Sequence, residues 1–202
     1  ATVCYLCKGD LEMGAKWNTL LGLSGMVFGL AGIPFSVWLS KRAGKRNALL
    51  VILALAIAAF IGDWFFYNPN IPWLQLFASG CVAFTGAGFW TIYGSTLADV
   101  IESDELDTGL RREGSFSACA SWISKAGLAL GNLGSGWVLQ FTGFNADLPA
   151  QSDEAIFLMR VFLSGIPAVG LLLAIIVIAG FGLTEKRMYE IRNELEARRG
   201  AV

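Results

Sequence analysis

The chain has 202 residues, of which 55% are hydrophobic and 15% are charged, and its 15 basic and 16 acidic residues leave a net charge of -1. Soluble domains carry about 25% charged residues, so the composition excludes an ordinary soluble fold. The balanced charge excludes a nucleic-acid binder, which needs a basic face. The sequence has no histidine, which excludes histidine-based metal or acid-base chemistry.

The first 16 residues contain a C-x-x-C pair formed by Cys4 and Cys7. This spacing can bind a metal or carry redox chemistry when a second pair accompanies it, and the sequence has no second pair. We therefore interpret the two cysteines as structural and predict neither a metal site nor a cofactor. Residues 1–16 are predicted to be an external segment.

Long charge-free runs predict five membrane-spanning helices. A helix needs about 20 predominantly apolar residues to cross a bilayer, and Trp17 to Ser40 alone provides 24 consecutive residues without Asp, Glu, Lys or Arg. The predicted spans are 17–40, 47–67, 73–98, 115–141 and 155–183. The expected fold is an all-α integral membrane bundle.

The basic residues predict the orientation of this bundle. The turn 41–46, the polar loop 99–113 and the tail 184–202 contain Lys or Arg, whereas the loops 68–72 and 144–154 contain neither. Short basic loops remain on the cytoplasmic side of a membrane, so these three segments and the carboxyl terminus are expected in the cytoplasm. Five spans then place the amino terminus outside, and we expect an upstream helix in a longer protein to deliver it there.

The tail 184–202 changes in character after the last apolar run. Met188, Ile191 and Leu195 recur at a helical spacing among charged residues, which predicts a short amphipathic cytoplasmic helix. A solvated helical stub is the simpler interpretation, because charge-rich runs are usually solvent-exposed faces.

Lys125 is the most informative residue in the sequence. It lies about ten residues into the fourth span, so at ~1.5 Å per residue it lies ~15 Å deep, near the middle of a ~30 Å hydrocarbon layer. A lysine at that depth costs about 2.5–3.5 kcal/mol and indicates a partner, a water-filled cavity or a function. Snorkelling to an interface is the alternative. The same helical stripe carries Ser117, Ser121, Asn132 and Ser135, which predicts that this face of the helix is in contact with water.

The third span carries Trp90 and Tyr93 deep within its apolar run. An aromatic ring that faces a polar cavity can stack on the apolar face of a sugar, whereas lipid contact or core packing is the ordinary role of such rings. Both interpretations remain open for Trp90.

Several segments resemble a known transporter family. Ala98-Asp99-Val100-Ile101-Glu102, Glu105, Thr108-Gly109, Arg111-Arg112-Glu113 and Lys125-Ala126-Gly127 resemble the glycoside-pentoside-hexuronide:cation symporters of the major facilitator superfamily. The ending Leu183-Thr184-Glu185-Lys186 and residues 191–195 are similar to the family's carboxyl-terminal signature. The resemblance covers essentially the whole chain, as the last five of twelve spans.

The resemblance implies roles for particular residues. Lys125 matches a lysine at the sugar and cation site, Ser121 matches a hydroxyl position in that site, and Trp90 matches an aromatic that lines the sugar pocket. Tyr93 and Asn132 are added as candidate substrate-binding residues from their positions on the same helices. Three further residues match charged positions on the cytoplasmic side of the family. In the family these charges pair across the two halves of the carrier when its cytoplasmic side is closed, and the matching residues here are Asp99, Glu102 and Arg111.

The resemblance also implies a function and partners. We expect secondary active symport of a sugar or glycoside across the cytoplasmic (inner) membrane by alternating access, without enzymatic activity. The partners are the lipid bilayer, the substrate, the missing N-terminal half and a coupling cation. Neither Na⁺ nor H⁺ can be assigned, because the family's cation-coordinating carboxylates lie in that half. The alternatives are a carrier of a lipid-like or other solute, a non-transporting membrane assembly subunit and, least supported, an intramembrane enzyme.

Overall fold

The computed structural model describes residues 15–66, 71, 73–143, 152–180 and 185–200. In these ranges the chain forms six α-helices and no strand, which confirms the all-α prediction. The helices are α1 Ala15–Ala43, α2 Lys45–Phe66, α3 Trp73–Thr108, α4 Glu113–Phe141, α5 Asp153–Ala179 and α6 Glu185–Gly200. The C-x-x-C pair and most of the acidic loop 144–154 lie outside the described residues.

Four of these helices, α1, α2, α3 and α5, are long and apolar enough to cross a membrane. They overlap the first, second, third and fifth predicted spans. The fourth predicted span corresponds to α4, whose 29 residues form a rod of about 43 Å. The rod exceeds the ~30 Å hydrocarbon thickness, and its membrane crossing stays a prediction.

The polar loop predicted for residues 99–113 is wrong over most of its length. We expected the helix to stop at Ala98 and a polar loop to follow, whereas α3 continues to Thr108. Gly109 has a φ of 70°, and this left-handed conformation, which glycine adopts without strain, ends the helix. With 36 residues, α3 is about 54 Å long and projects beyond a ~30 Å hydrocarbon core.

Helices α1 and α3 approach closely along a face of small residues. A Cβ atom added to Gly25 would lie 3.5 Å from the Ala83 Cβ, and one added to Gly29 would lie 3.7 Å from the Ala83 carbonyl oxygen. A Cβ atom at Gly32 would collide with the carbonyl oxygen of Phe84. Small residues permit such backbone approach between membrane helices, which gain little from the hydrophobic effect and depend on close packing.

The main apolar core lies where α2 meets α3 and α5. Its fully buried members come mostly from α2, and α5 contributes partly buried aliphatic side chains that cover them. The buried members are Ala48, Leu49, Ile52, Leu53 and Ile92, and the α5 residues packed on them are Leu171, Ala174, Ile175 and Ile178. This core holds α2 in the centre of the described bundle.

The tail helix α6 is packed against the bundle, so the interpretation as a solvated stub is wrong. Met188, Ile191 and Leu195 are buried and contact Leu106 of α3. Leu106 belongs to the part of α3 that we had expected to be a loop. The extension of α3 provides the apolar surface on which the amphipathic face of α6 is buried.

Candidate functional site

The predicted site residues fall on two helices and in the turn between them. Trp90, Tyr93, Asp99 and Glu102 follow one another along α3, and Arg111 lies just after that helix ends. The fourth-span residues Ser121, Lys125 and Asn132 lie on α4, which packs only sparsely on the rest of the described chain. No described side chain of α4 is buried.

Asp99 lies at the centre of a network of charges that we call the charged cluster, formed by Lys45, Asp99, Glu102 and Arg192. The Asp99 side chain is only 6% exposed. The Lys45 ammonium donates to both of its carboxylate oxygens, at 2.7 Å and 2.8 Å. Because one partner is almost fully buried, this ion pair is shielded from solvent more than a surface pair.

Arg192 of the tail helix completes the charged cluster. Its Nη2 donates to Asp99 Oδ1 at 2.8 Å, and its Nε donates to Glu102 Oε2 at 2.8 Å. A guanidinium is suited to such a double contact because its donors form a rigid fork. The charged cluster therefore joins the start of α2, the extension of α3 and α6 at one end of the bundle.

Arg46 makes a second connection at the same end. Its Nε donates to the Ile178 carbonyl oxygen at 3.3 Å, and its Nη2 donates to the Ala179 carbonyl oxygen. These carbonyls belong to the last turn of α5, where helix carbonyls lack intrahelical partners and a cation is favoured by the helix dipole. The basic turn thus fastens both α3 and α5 to α2.

Arg111 makes no ion pair with Asp99 or Glu102 in the described part of the chain. It is exposed, and its Nε donates to Glu113 Oε2 at 3.3 Å. The neighbouring Arg112 donates to Asp104 at 3.0 Å. The hydrogen bond to Asp104 and the negative charge of that residue raise the pKa of the Arg112 guanidinium.

The two predicted aromatic residues are in contact with one another. The rings of Trp90 and Tyr93 meet edge to face at a centroid distance of 5.5 Å, and Phe89 stacks on Tyr93 at 5.8 Å. Trp90 is 60% exposed in the described chain. Its ring is therefore not packed in the core of the described chain, and contact with a sugar or with lipid remains open.

The polar stripe on α4 is present as expected, and its side chains are exposed. Among the described residues, no hydrogen bond, ion pair or ring contact joins Ser121, Lys125 or Asn132 to Trp90 or Tyr93. The structure therefore does not bring the two predicted groups of binding residues together, and the assignment of a common substrate site stays a prediction.

Sequence reasoning missed Lys45 and Arg192 as members of the charged cluster. The sequence offered two weak signals: Lys45 lies in the basic turn, and Arg192 follows Ile191 on the amphipathic tail. Neither signal predicts a partner, because Lys45 and Asp99 are separated by 54 residues. The extension of α3 beyond Ala98 was needed to place Glu102 and Asp99 beside the tail.

Comparison with known proteins gives one family for almost the whole chain. The model of a family described as "MFS/sugar transport protein" matches residues 1–185. An uncharacterised symporter of Synechocystis sp. is 36% identical over 85% of this chain and 33% of its own length. The isoprimeverose transporter of Lactiplantibacillus pentosus is 28% identical over 82% of this chain and 34% of its own length.

A third relative, the glucuronide carrier protein homolog of Escherichia coli, is 27% identical over 98% of this chain and 43% of its own length. The chain thus spans between a third and just over two fifths of these relatives. The family match over most of the chain, together with four apolar helices of spanning length, agrees with the resemblance to glycoside-pentoside-hexuronide:cation symporters. The chain is a multi-pass membrane protein that belongs to the MFS/sugar transport protein family.

Proposed function

We propose that the chain forms part of a secondary active transporter that carries a sugar or glycoside together with a cation across the cytoplasmic membrane. The names of the relatives support this proposal, since they describe a symporter, a transporter of isoprimeverose and a glucuronide carrier homologue. The same names do not favour a non-transporting assembly subunit. Because each relative is more than twice as long as the matched segment, further helices complete the carrier in this proposal.

The observation that carries the proposal is the exposed polar stripe of α4 around Lys125. The stripe places an ammonium, hydroxyls and a carboxamide on a helix whose other faces are largely apolar. Such groups are costly against lipid, so in a membrane they face a water-filled pathway or partner groups. A substrate rich in hydroxyls, or a cation site held by carboxylates, matches the donors and the positive charge on this stripe.

Alternating access requires parts that move as rigid bodies about the substrate site. The charged cluster, the contacts of Arg46 and the apolar core supply rigidity by joining α2, α3, α5 and α6 at one end. We propose that this end faces the cytoplasm. We also propose that Trp90, Tyr93, Ser121, Lys125 and Asn132 bind the substrate, and that the coupling cation binds mostly outside the described helices.

Lys125→Ala in the complete carrier tests the role of the polar stripe. We expect the variant to insert and fold, because Lys125 makes no ion pair with the rest of the described chain, and to lose most substrate-driven cation uptake. Ser121→Ala should have a weaker effect, and Trp90→Ala should mainly weaken substrate affinity. The measurement is uptake of Na⁺ and of H⁺ into proteoliposomes on addition of an isoprimeverose or glucuronide substrate, normalised to folded protein.

Lys186→Ala is the matched control, since it removes an exposed lysine from the tail helix. Coupled uptake at the control level by Lys125→Ala would show that the lysine has no part in transport. If the unmodified carrier took up a lipid-like solute and neither isoprimeverose nor a glucuronide, the alternative of a lipid-like substrate would be favoured.

Arg111→Glu tests the proposed cytoplasmic gate. Asp99 and Glu102 pair with basic residues of this chain, whereas Arg111 is exposed and, among the described residues, pairs with its near neighbour Glu113. We expect Arg111 to contact carboxylates of the remaining half when the cytoplasmic side is closed, so charge reversal should favour the inward-open state. The measurement is the reaction rate of a cytoplasmic pore cysteine, which should rise. An unchanged rate would assign Arg111 to a solvated loop.

A further inference from the structure

The four basic residues of the turn 41–46 have two different environments. Lys45 and Arg46 bind within the bundle, Lys45 in the charged cluster and Arg46 at the last turn of α5. Lys41 and Arg42, in the last turn of α1, are exposed and make no ion pair with the described part of the chain. Two positive charges are therefore available at the surface of α1.

The length of α1 places these two charges at the level of the lipid headgroups. Trp17 and Trp38 are 21 residues apart on this helix, a rise of ~31 Å that matches the ~30 Å hydrocarbon layer. Tryptophan is enriched at both interfaces of a membrane. Lys41 and Arg42 lie one turn beyond Trp38, ~5 Å further along the helix axis, which is the level of the phosphates of one leaflet.

Arg42 is held by an aromatic contact that leaves its hydrogen-bond donors available. Its guanidinium carbon lies 4.8 Å from the centroid of the Trp38 ring, which is a cation–π contact. Trp38 in turn contacts Phe35 at a centroid distance of 6.0 Å and is 49% exposed. The N–H donors of a guanidinium suit the oxygens of a phosphate, and contact with the face of a ring does not use them. The guanidinium is thus restrained beside Lys41 with donors for an anion.

The face of α1 that leads to these charges is apolar and exposed, and we call it the apolar face of α1. Gly25, Gly29 and Gly32 lie on the opposite side of the helix, which packs on α3. Lys41 follows Leu23 by 18 residues, which is five full turns, so it lies on the apolar face. The members of this face, which are 38% to 62% exposed, are Leu23, Met26, Val27, Leu30, Ile33 and Val37. An acyl chain can therefore lie along α1 below an anionic group held by Lys41 and Arg42.

We propose that this end of α1 binds an anionic phospholipid, with the headgroup phosphate at Lys41 and Arg42 and an acyl chain along the apolar face of α1. Basic residues at a membrane surface attract anionic lipids, whereas the choline cation of a phosphatidylcholine opposes that attraction. A soluble phosphate would make no use of the apolar face. The site is separate from the polar stripe of α4 and does not depend on the sugar-symport proposal.

The test is the quenching of Trp38 fluorescence by brominated phospholipids in phosphatidylcholine bilayers that contain the complete carrier. The emission of Trp38 is the difference between each protein and the same protein with Trp38→Phe. We expect brominated phosphatidylglycerol to reach half-maximal quenching at a mole fraction about tenfold or more below that of brominated phosphatidylcholine. Lys41→Gln and Arg42→Gln should each raise the required fraction of phosphatidylglycerol about fivefold, since each removes one charge from the site.

Lys186→Gln is the matched control, because it removes an exposed lysine of the tail helix and should leave the preference for phosphatidylglycerol unchanged. The charge-conserving variant Lys41→Arg should also retain it, and millimolar inorganic phosphate should not displace the lipid.

Three results would overturn the proposal. The first is equal quenching by the two lipids in the unmodified carrier, or a preference that survives the combination of Lys41→Gln and Arg42→Gln. The second is no quenching of Trp38 by either lipid, because the remaining half of the carrier would then cover this end of α1. The third is displacement of phosphatidylglycerol by phosphate, which would assign the two charges to a soluble anion.

Discussion

At the scale of single residues, the charged side chains occupy two different environments. Asp99 is buried and accepts hydrogen bonds from Lys45 and Arg192, so its negative charge is balanced within the chain. Lys125 is exposed on α4 and makes no ion pair with the rest of the described chain. Removing one partner of the buried pair would leave a charge uncompensated, whereas the exposed ammonium of Lys125 is available to a further partner.

Asp99→Asn should destabilise the protein, because an amide cannot balance the charges of Lys45 and Arg192. We expect a loss of about 1–3 kcal/mol, since removing one partner of a buried pair leaves the other uncompensated, while exposure of Arg192 reduces the penalty. The measurement is the midpoint of thermal unfolding in nanodiscs. Asp104→Asn, which removes a pair with an exposed arginine, is the control and should cost less than about 1 kcal/mol. Equal midpoints for the two variants would contradict the central role of Asp99.

At the scale of elements, the extension of α3 provides the surface on which the tail helix packs. A helix of ordinary spanning length would end near Ala98 and leave α6 without an apolar surface. Because α3 continues to Thr108, Leu106 meets the buried residues of α6, and Arg192 reaches both Glu102 and Asp99. The docking of the tail thus combines apolar burial with two charge-assisted hydrogen bonds.

Ile191→Asp should detach α6 from the bundle without unfolding the spanning helices. Ile191 is 1% exposed, and a carboxylate in its place would be buried against Leu106 without a partner. Limited trypsin digestion should therefore cleave faster after Lys186 and Arg187. Tyr189→Asp, at a position that is 70% exposed, is the matched control and should be cleaved at the unmodified rate. Equal cleavage of the two variants would show that α6 is not held by this face.

At the scale of the whole molecule, the charged segments gather at one end of the bundle. The basic turn before α2, the end of α3 and the tail helix are joined there through Lys45, Asp99 and Arg192. Segments that contact one another lie on the same side of a membrane. This supports the part of the orientation prediction that places the basic turn and the tail together, and the identity of that side stays a prediction.

Labelling from each side of the membrane tests the orientation. In a chain with its four cysteines replaced by serine, we expect a cysteine at Glu196 to react from the cytoplasmic side. A cysteine at Asp147 should react from the outer side, because short basic segments remain inside. The measurement is modification by a membrane-impermeant maleimide in right-side-out and inverted vesicles. Reaction of the Asp147 position only from the cytoplasmic side would reverse the orientation.

The sequence by itself determined the class of structure and the approximate positions of its helices. In lipid, backbone hydrogen bonds must be satisfied within the segment, so a long charge-free run can form little other than a helix. The amphipathic spacing of Met188, Ile191 and Leu195 likewise predicted α6, because a period near 3.6 is local information. The polar stripe around Lys125 followed from the same periodicity.

Only the tertiary structure decided which of these helices touch and which charges pair. Charged residues after Ala98 indicated a loop, yet α3 continues, and its acidic side chains pair with Lys45 at the start of α2 and with Arg192 of the tail. The charged cluster and the docking of α6 depend on the rotation and register of helices far apart in sequence. Hydrophobic periodicity specifies a face on each helix, and the relative placement of those faces comes from packing between them.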